Sequence, residues 1–132
     1  MAILRFIGSS CGFYDCCNPE EAWKMDSICD SYTDTVNAIA KAAMNPDANQ
    51  KKELMGGLMM KTIPEWFAVM EKRIASNSSK QFIVGNKLSI ADFCMAAFFF
   101  SFVYNDANPG SQGFKDILSK FNTLKAYSEG CS

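Results

Sequence analysis

Three aspartates, Asp26, Asp30 and Asp34, recur at i, i+4 and i+8, which lines three carboxylates along one helix face. Like charges at that spacing repel, so the stripe is either a solvated acidic face or one answered by a cation or an amine. The other reactive side chains are six cysteines. Cys16 and Cys17 are adjacent, Cys29 and Cys94 lie within apolar stretches, and Cys131 is next to last. Cys11, Cys16 and Cys17 lack the paired Cys-x-x-Cys spacing of a zinc site, so no metal is expected on them. The expectation is reduced thiols in a cytoplasmic protein. The chain has no histidine (His 0). That removes Ser-His and Cys-His nucleophile pairs, His-liganded metals and a His pH switch. Ser89 and Asp92 stand three apart just ahead of an apolar run, which suits a structural helix cap and not a chemical step.

These residues belong to a chain of 132 residues, the size of one ordinary domain. Hydrophobic residues make up 48% and charged residues 20%, so disorder, collagen-like repeats and coiled coil fit poorly. Thirteen Lys and Arg against fourteen Asp and Glu leave a net charge of −1. A nucleic-acid partner is not expected without a basic surplus. The opening apolar run is too short for a signal peptide.

The apolar residues recur at helical spacing, with little of the alternation that half-buried strands show, so the expected fold class is all-α. A short helix is expected over 2–9, broken by Gly8, Ser9, Ser10 and Gly12. A second starts at Asn18, a good N-cap, with Pro19 in the first turn and Glu21 at the capping-box position. Its stripe is Met25, Cys29, Tyr32, Val36, Ile39 and Ala43, and it stops near Pro46. A third is expected over about 49–75, weakened at Gly56-Gly57 and kinked at Pro64, with Leu54, Leu58, Thr62, Trp66 and Met70 as its buried face. The fourth is capped by the Ser89 and Asp92 box, with Leu88 and Phe93 at the staple positions. From 91 to 104 it is apolar on nearly every side, yet too short to cross a bilayer, so it is expected as the buried central helix of a bundle. After a loop over 105–113, two weaker helices are expected over 114–120 and 122–128.

The run Gly85-Asn86-Lys87-Leu88-Ser89-Ile90-Ala91-Asp92-Phe93 resembles the start of the central helix in the C-terminal domain of cytosolic glutathione transferases. Residues 1–7 resemble the last helix of that family's preceding thioredoxin-like domain. Gly12-Phe13-Tyr14, Pro19-Glu20-Glu21-Ala22 and Met25-Asp26-Ser27-Ile28-Cys29-Asp30 resemble the linker and first helix of the second domain, closest to sigma-like members. Leu124-Lys125-Ala126-Tyr127 also fits. The resemblance implies 1–14 as the end of a thioredoxin-like domain and 15–132 as the helical domain. It implies glutathione as co-substrate, held mainly by the thioredoxin-like domain, whose thiol-assisting residue would precede Met1. Tyr14 lies too late in the chain to be that residue. No catalytic residue is therefore expected here, and the chain is expected to be inactive alone.

The same resemblance implies roles for single residues. Asp34 matches an aspartate that reaches across the dimer to the α-amino group of the partner's glutathione. Asp30 and Asp34 match positions near which some members hold a divalent cation. Val36, Ala40, Cys94 and Phe98 match the lining of the electrophile pocket, for small hydrophobic ligands, although core packing accounts equally well for Cys94 and Phe98. The implied partners are a thioredoxin-like domain and a second copy of the chain in a homodimer. The alternative is a non-catalytic docking module or a subunit of a larger assembly, since similar helical domains serve as docking surfaces.

Overall fold

The computed structural model describes residues 1–131; Ser132, the end of the expected helical domain, lies outside them. Among the described residues every regular element is helical: α1 (Ala2–Ser10), α2 (Pro19–Ala43), α3 (Ala48–Gly57), α4 (Ile63–Ser76), α5 (Ile90–Phe98), α6 (Ser111–Leu118) and α7 (Asn122–Gly130). Two π turns complete the set, Leu58–Thr62 between α3 and α4 and Phe99–Val103 after α5. α2 lies along α5, α4 packs against α6 and α7, and α1 touches α5.

α2 forms where its caps place it. The Asn18 side chain accepts from the Glu21 amide at 3.3 Å, and Pro19 fills the first position, where a missing N–H costs nothing. The expected stripe is buried at Met25, Cys29 and Ile39 and half-buried at Tyr32 and Val36, but it ends on Ala42 and not on Ala43, which is exposed.

The third expected helix runs unbroken from Ala48 to Ser76, with a π turn at Leu58–Thr62 just ahead of Pro64. One extra residue in that turn rotates the downstream face by about 100°. Leu54 and Thr62 are exposed, Leu58 is half-buried against the core, and full burial begins at Ile63, Trp66, Phe67, Met70 and Ile74. The regular four-residue spacing thus holds at Trp66 and Met70, in part at Leu58, and fails at Leu54 and Thr62.

α5 starts on the expected capping box. Asp92 is buried and accepts from the Ser89 amide (2.9 Å), the Ser89 hydroxyl (2.8 Å), the Ile83 amide (2.9 Å) and the Tyr127 hydroxyl (2.7 Å). This carboxylate therefore ties the 81–88 segment, α5 and α7 together. Burial and the Asp92 charge push the Tyr127 phenol up, so it stays a neutral donor. Phe98, Phe99 and Phe114 form the aromatic centre of the core, with Phe98 4.7 Å from the Trp66 ring and 5.9 Å from that of Phe114. The helix is not buried on every side, however, because Phe93, Ala97 and Phe100 face outward.

The last two helices begin or end beyond their expected limits. Asn108 accepts from the Gly110 amide (3.0 Å) and donates to the Phe102 carbonyl (3.0 Å), a turn that starts α6 at Ser111. No side chain at Phe121 caps α7. The Glu71 carboxylate of α4 reaches over instead and accepts from the amides of Thr123 and Leu124.

Candidate functional site

An open apolar cavity of about 450 Å³ lies where α1, α2 and α5 meet. α1 supplies Ile3 and Ile7, one turn apart; α2 supplies Tyr32; and α5 supplies Phe93, Cys94 and Ala97. Gly8 lets α1 come this close, because a Cβ there would stand 2.4 Å from Ile90 Cγ2. The amides of Phe13 and Tyr14 donate to the Gly8 carbonyl, and the Ile90 amide donates to the Phe13 carbonyl at 3.0 Å, fastening the end of α1 to the start of α5. Phe13 also meets Phe93 edge to face at 5.2 Å. Ile3 in the cavity wall is 77% exposed, and α1 and the turn after α5 leave two further apolar side chains in solvent, Phe6 at 74% and Phe100 at 50%. Such a cavity takes an apolar ligand or a covering partner, since little polar surface is there to hold anything else.

Cys94 is the cysteine that lines the cavity; it is buried, with its Sγ 3.5 Å from the Sγ of the buried Cys29 on α2. The two sulfurs share a hydrogen bond, and that contact together with burial pushes the Cys29 thiol up. The Tyr32 phenol is pushed up by burial and by the nearby Cys94.

Of the four residues matched to an electrophile pocket, Cys94 lines this cavity. Val36 and Ala40 are half-buried further along α2. Phe98 is fully buried among Trp66, Phe67, Phe102 and Phe114 on the opposite side of α5. Ile3, Ile7 and Phe93 stood in the sequence only as apolar helix and staple residues. Their single local signal was the i, i+4 spacing of Ile3 and Ile7, which does not say which helix they meet.

The acidic stripe is divided. The Arg5 guanidinium donates to Asp26 at 2.6 Å and lies 3.5 Å from Asp30, and the Tyr14 hydroxyl donates to Asp26 at 3.1 Å. The hydrogen bond to Asp26 raises Arg5 further above its ordinary value, so the guanidinium stays charged. Asp34, one turn on, is exposed and has no partner among the described residues. Among those residues no group of three His, Cys, Asp or Glu side chains could hold a metal ion. Of the two carboxylates matched to a cation site, Asp30 is already engaged by Arg5. Arg5 was the partner the sequence reading missed, because it comes from a separate helix. No helix among the described residues is long and apolar enough to cross a membrane.

A family model described as glutathione S-transferase, C-terminal domain, matches residues 33–131. Among solved structures, prostaglandin synthase D of Nilaparvata lugens is similar with a TM-score of 0.76 at 24% identity, over 98% of this chain and 60% of its own. The Pi-class glutathione S-transferase of Onchocerca volvulus has a TM-score of 0.73 at 20% identity, over 98% of this chain and 57% of its own. NaGST-2 has a TM-score of 0.71 at 26% identity, over 97% of this chain and 59% of its own. The chain thus spans less than two thirds of the length of each. A comparison with curated proteins finds no match.

Proposed function

The chain belongs to the glutathione S-transferase C-terminal domain family, and from that premise we propose that it is the helical half of a glutathione transferase. In this reading residues 15–132 form the helical domain, and residues 1–14 close a thioredoxin-like domain that holds glutathione. The helical half supplies apolar walls for the electrophile and part of a homodimer face. The observation that carries the reading is the open apolar cavity between α1 and α5, whose wall includes the exposed Ile3. A surface of that kind is covered in a working protein.

Asp34 is the residue assigned to glutathione, as the partner of its α-amino group across the dimer. Its exposure and its lack of a local counter-charge leave the carboxylate open to an ammonium. Val36, Ala40, Cys94 and Phe98 are the residues assigned to the pocket, with Cys94 the one that reaches the cavity. The free thiols suit a reducing compartment, the cytoplasm.

The 132-residue chain, assayed alone with glutathione and an aryl halide, is expected to give no conjugation above the uncatalysed rate. A nucleophilic thiolate must be generated and held in place, and this reading puts both tasks in the thioredoxin-like domain. The same chain is expected to bind an apolar dye or to self-associate through the cavity face. Turnover by the chain alone would overturn the division of labour, and a monomer that binds no dye would remove the case for a covered face.

A further inference from the structure

We infer that Cys29 and Cys94 form an oxidisable dithiol, a modification site in which an apolar hydroperoxide entering the cavity converts the pair to a disulfide linking α2 to α5. Three observations meet at this point. The two sulfurs stand 3.5 Å apart across a helix pair, from positions 65 residues distant in the chain. Closing to a bond of about 2.05 Å requires an approach of only some 1.5 Å, within the reach of small side-chain rotations. Cys94 lines the cavity at 4% exposure while Cys29, at 1%, does not line it, so a reagent that enters the cavity meets Cys94 first and the second sulfur is held as the resolving group. The cavity walls are apolar, which selects an organic hydroperoxide over a strongly hydrated oxidant.

The chemistry proceeds in two balanced steps. The Cys94 sulfur attacks the distal oxygen of the hydroperoxide; the S–O bond forms, the O–O bond breaks, and the leaving alkoxide takes the thiol proton as an alcohol. The Cys29 sulfur then attacks the Cys94 sulfenic sulfur; the S–S bond forms, the S–O bond breaks, and hydroxide leaves with the Cys29 proton as water. Two thiols lose two electrons and one hydroperoxide is reduced. The contact with Cys94 and burial push the Cys29 thiol up, and Cys94 is the cysteine that lines the cavity, so Cys94 is the attacker.

The test treats the folded 132-residue chain with cumene hydroperoxide, blocks remaining thiols and maps the digest by mass spectrometry without reduction. The expected result is loss of both thiols and a peptide pair linked through Cys29 and Cys94, formed at a rate independent of protein concentration. In Cys29→Ala the resolving sulfur is gone, and Cys94 is expected to accumulate as a sulfenic acid that dimedone captures. Cys94→Ser is expected to leave Cys29 a free thiol under the same treatment. The inference is overturned if both cysteines stay reduced at a dose that oxidises the exposed Cys16 and Cys17, or if Cys94 is found joined to another cysteine.

Discussion

On one side of α5, Phe98 is fully buried and ringed by Trp66, Phe67, Phe102 and Phe114; on the other, Phe93 and Ala97 line an open cavity and Phe100 keeps half its surface in solvent. The residue types on the two sides are alike, so composition does not separate them. What separates them is the number of elements that pack there. The core side is closed by α2, α4 and α6. The other side has only α1 and the adjoining part of α2. Apolar character in a helix thus reports a need for burial, and the tertiary arrangement decides how much of that need is met within the chain.

The largest effect expected from breaking this comparison lies on the closed side. Phe98→Ala removes a ring with aromatic neighbours on several sides, and the surrounding helices can only partly collapse into the space. Unfolding in urea is expected to show a loss of about 3–5 kcal/mol, the range for truncating a buried aromatic. A loss near that of a surface change would mean that Phe98 is not the centre of the core.

A smaller effect is expected where α5 begins. Asp92 accepts four hydrogen bonds while buried, and Asp92→Asn replaces one acceptor oxygen with a donor. Either Ser89 or the Ile83 and Tyr127 pair then faces an NH2 group in place of an oxygen. The expected loss is about 2–3 kcal/mol, because buried donors are left unpaired. That exceeds the roughly 1 kcal/mol typical of losing a simple N-cap. Ser89→Ala is the companion that sharpens the point: it should cost about 1 kcal/mol, since Ile83 and Tyr127 keep their bonds to Asp92. Equal losses in the two variants would reduce Asp92 to an ordinary cap.

The contrast between Asp92 and the rest of the site also shows what the sequence made legible. Asn18, Pro19, Ser89 and Asp92 act through neighbours three residues away, so the starts of α2 and α5 could be read directly. The all-helical class and the order of helices followed from the same local spacing. Partners from distant elements could not be read that way. Glu71 capping α7, Arg5 on Asp26, Tyr127 on Asp92 and Cys29 beside Cys94 all join residues at least 21 positions apart. The π turns escaped for another reason. A one-residue insertion leaves the composition unchanged and only rotates the face beyond it, so Thr62, at the end of the turn, fits a regular helix in sequence and yet lies in solvent. The cavity itself depends on where α1 lands, and the sequence signal for that was a single close-packed glycine, Gly8.

The smallest expected effect on stability, and the most informative for function, is on the open side. Phe100→Ser removes an apolar side chain that is already 50% exposed, and Phe100 has no ring neighbour like those around Phe98. Its cost in urea is expected to stay within about 0.5 kcal/mol of zero, as for other surface changes. Binding of an apolar dye, or self-association measured by light scattering, should nevertheless fall, because the ring is exposed apolar surface on the outward side of α5 and its following turn. The two readouts must separate if the faces of α5 serve different ends. A variant that loses stability along with dye binding would mean that Phe100 belongs to the core after all. One that keeps both would mean that the apolar side of α5 needs no partner.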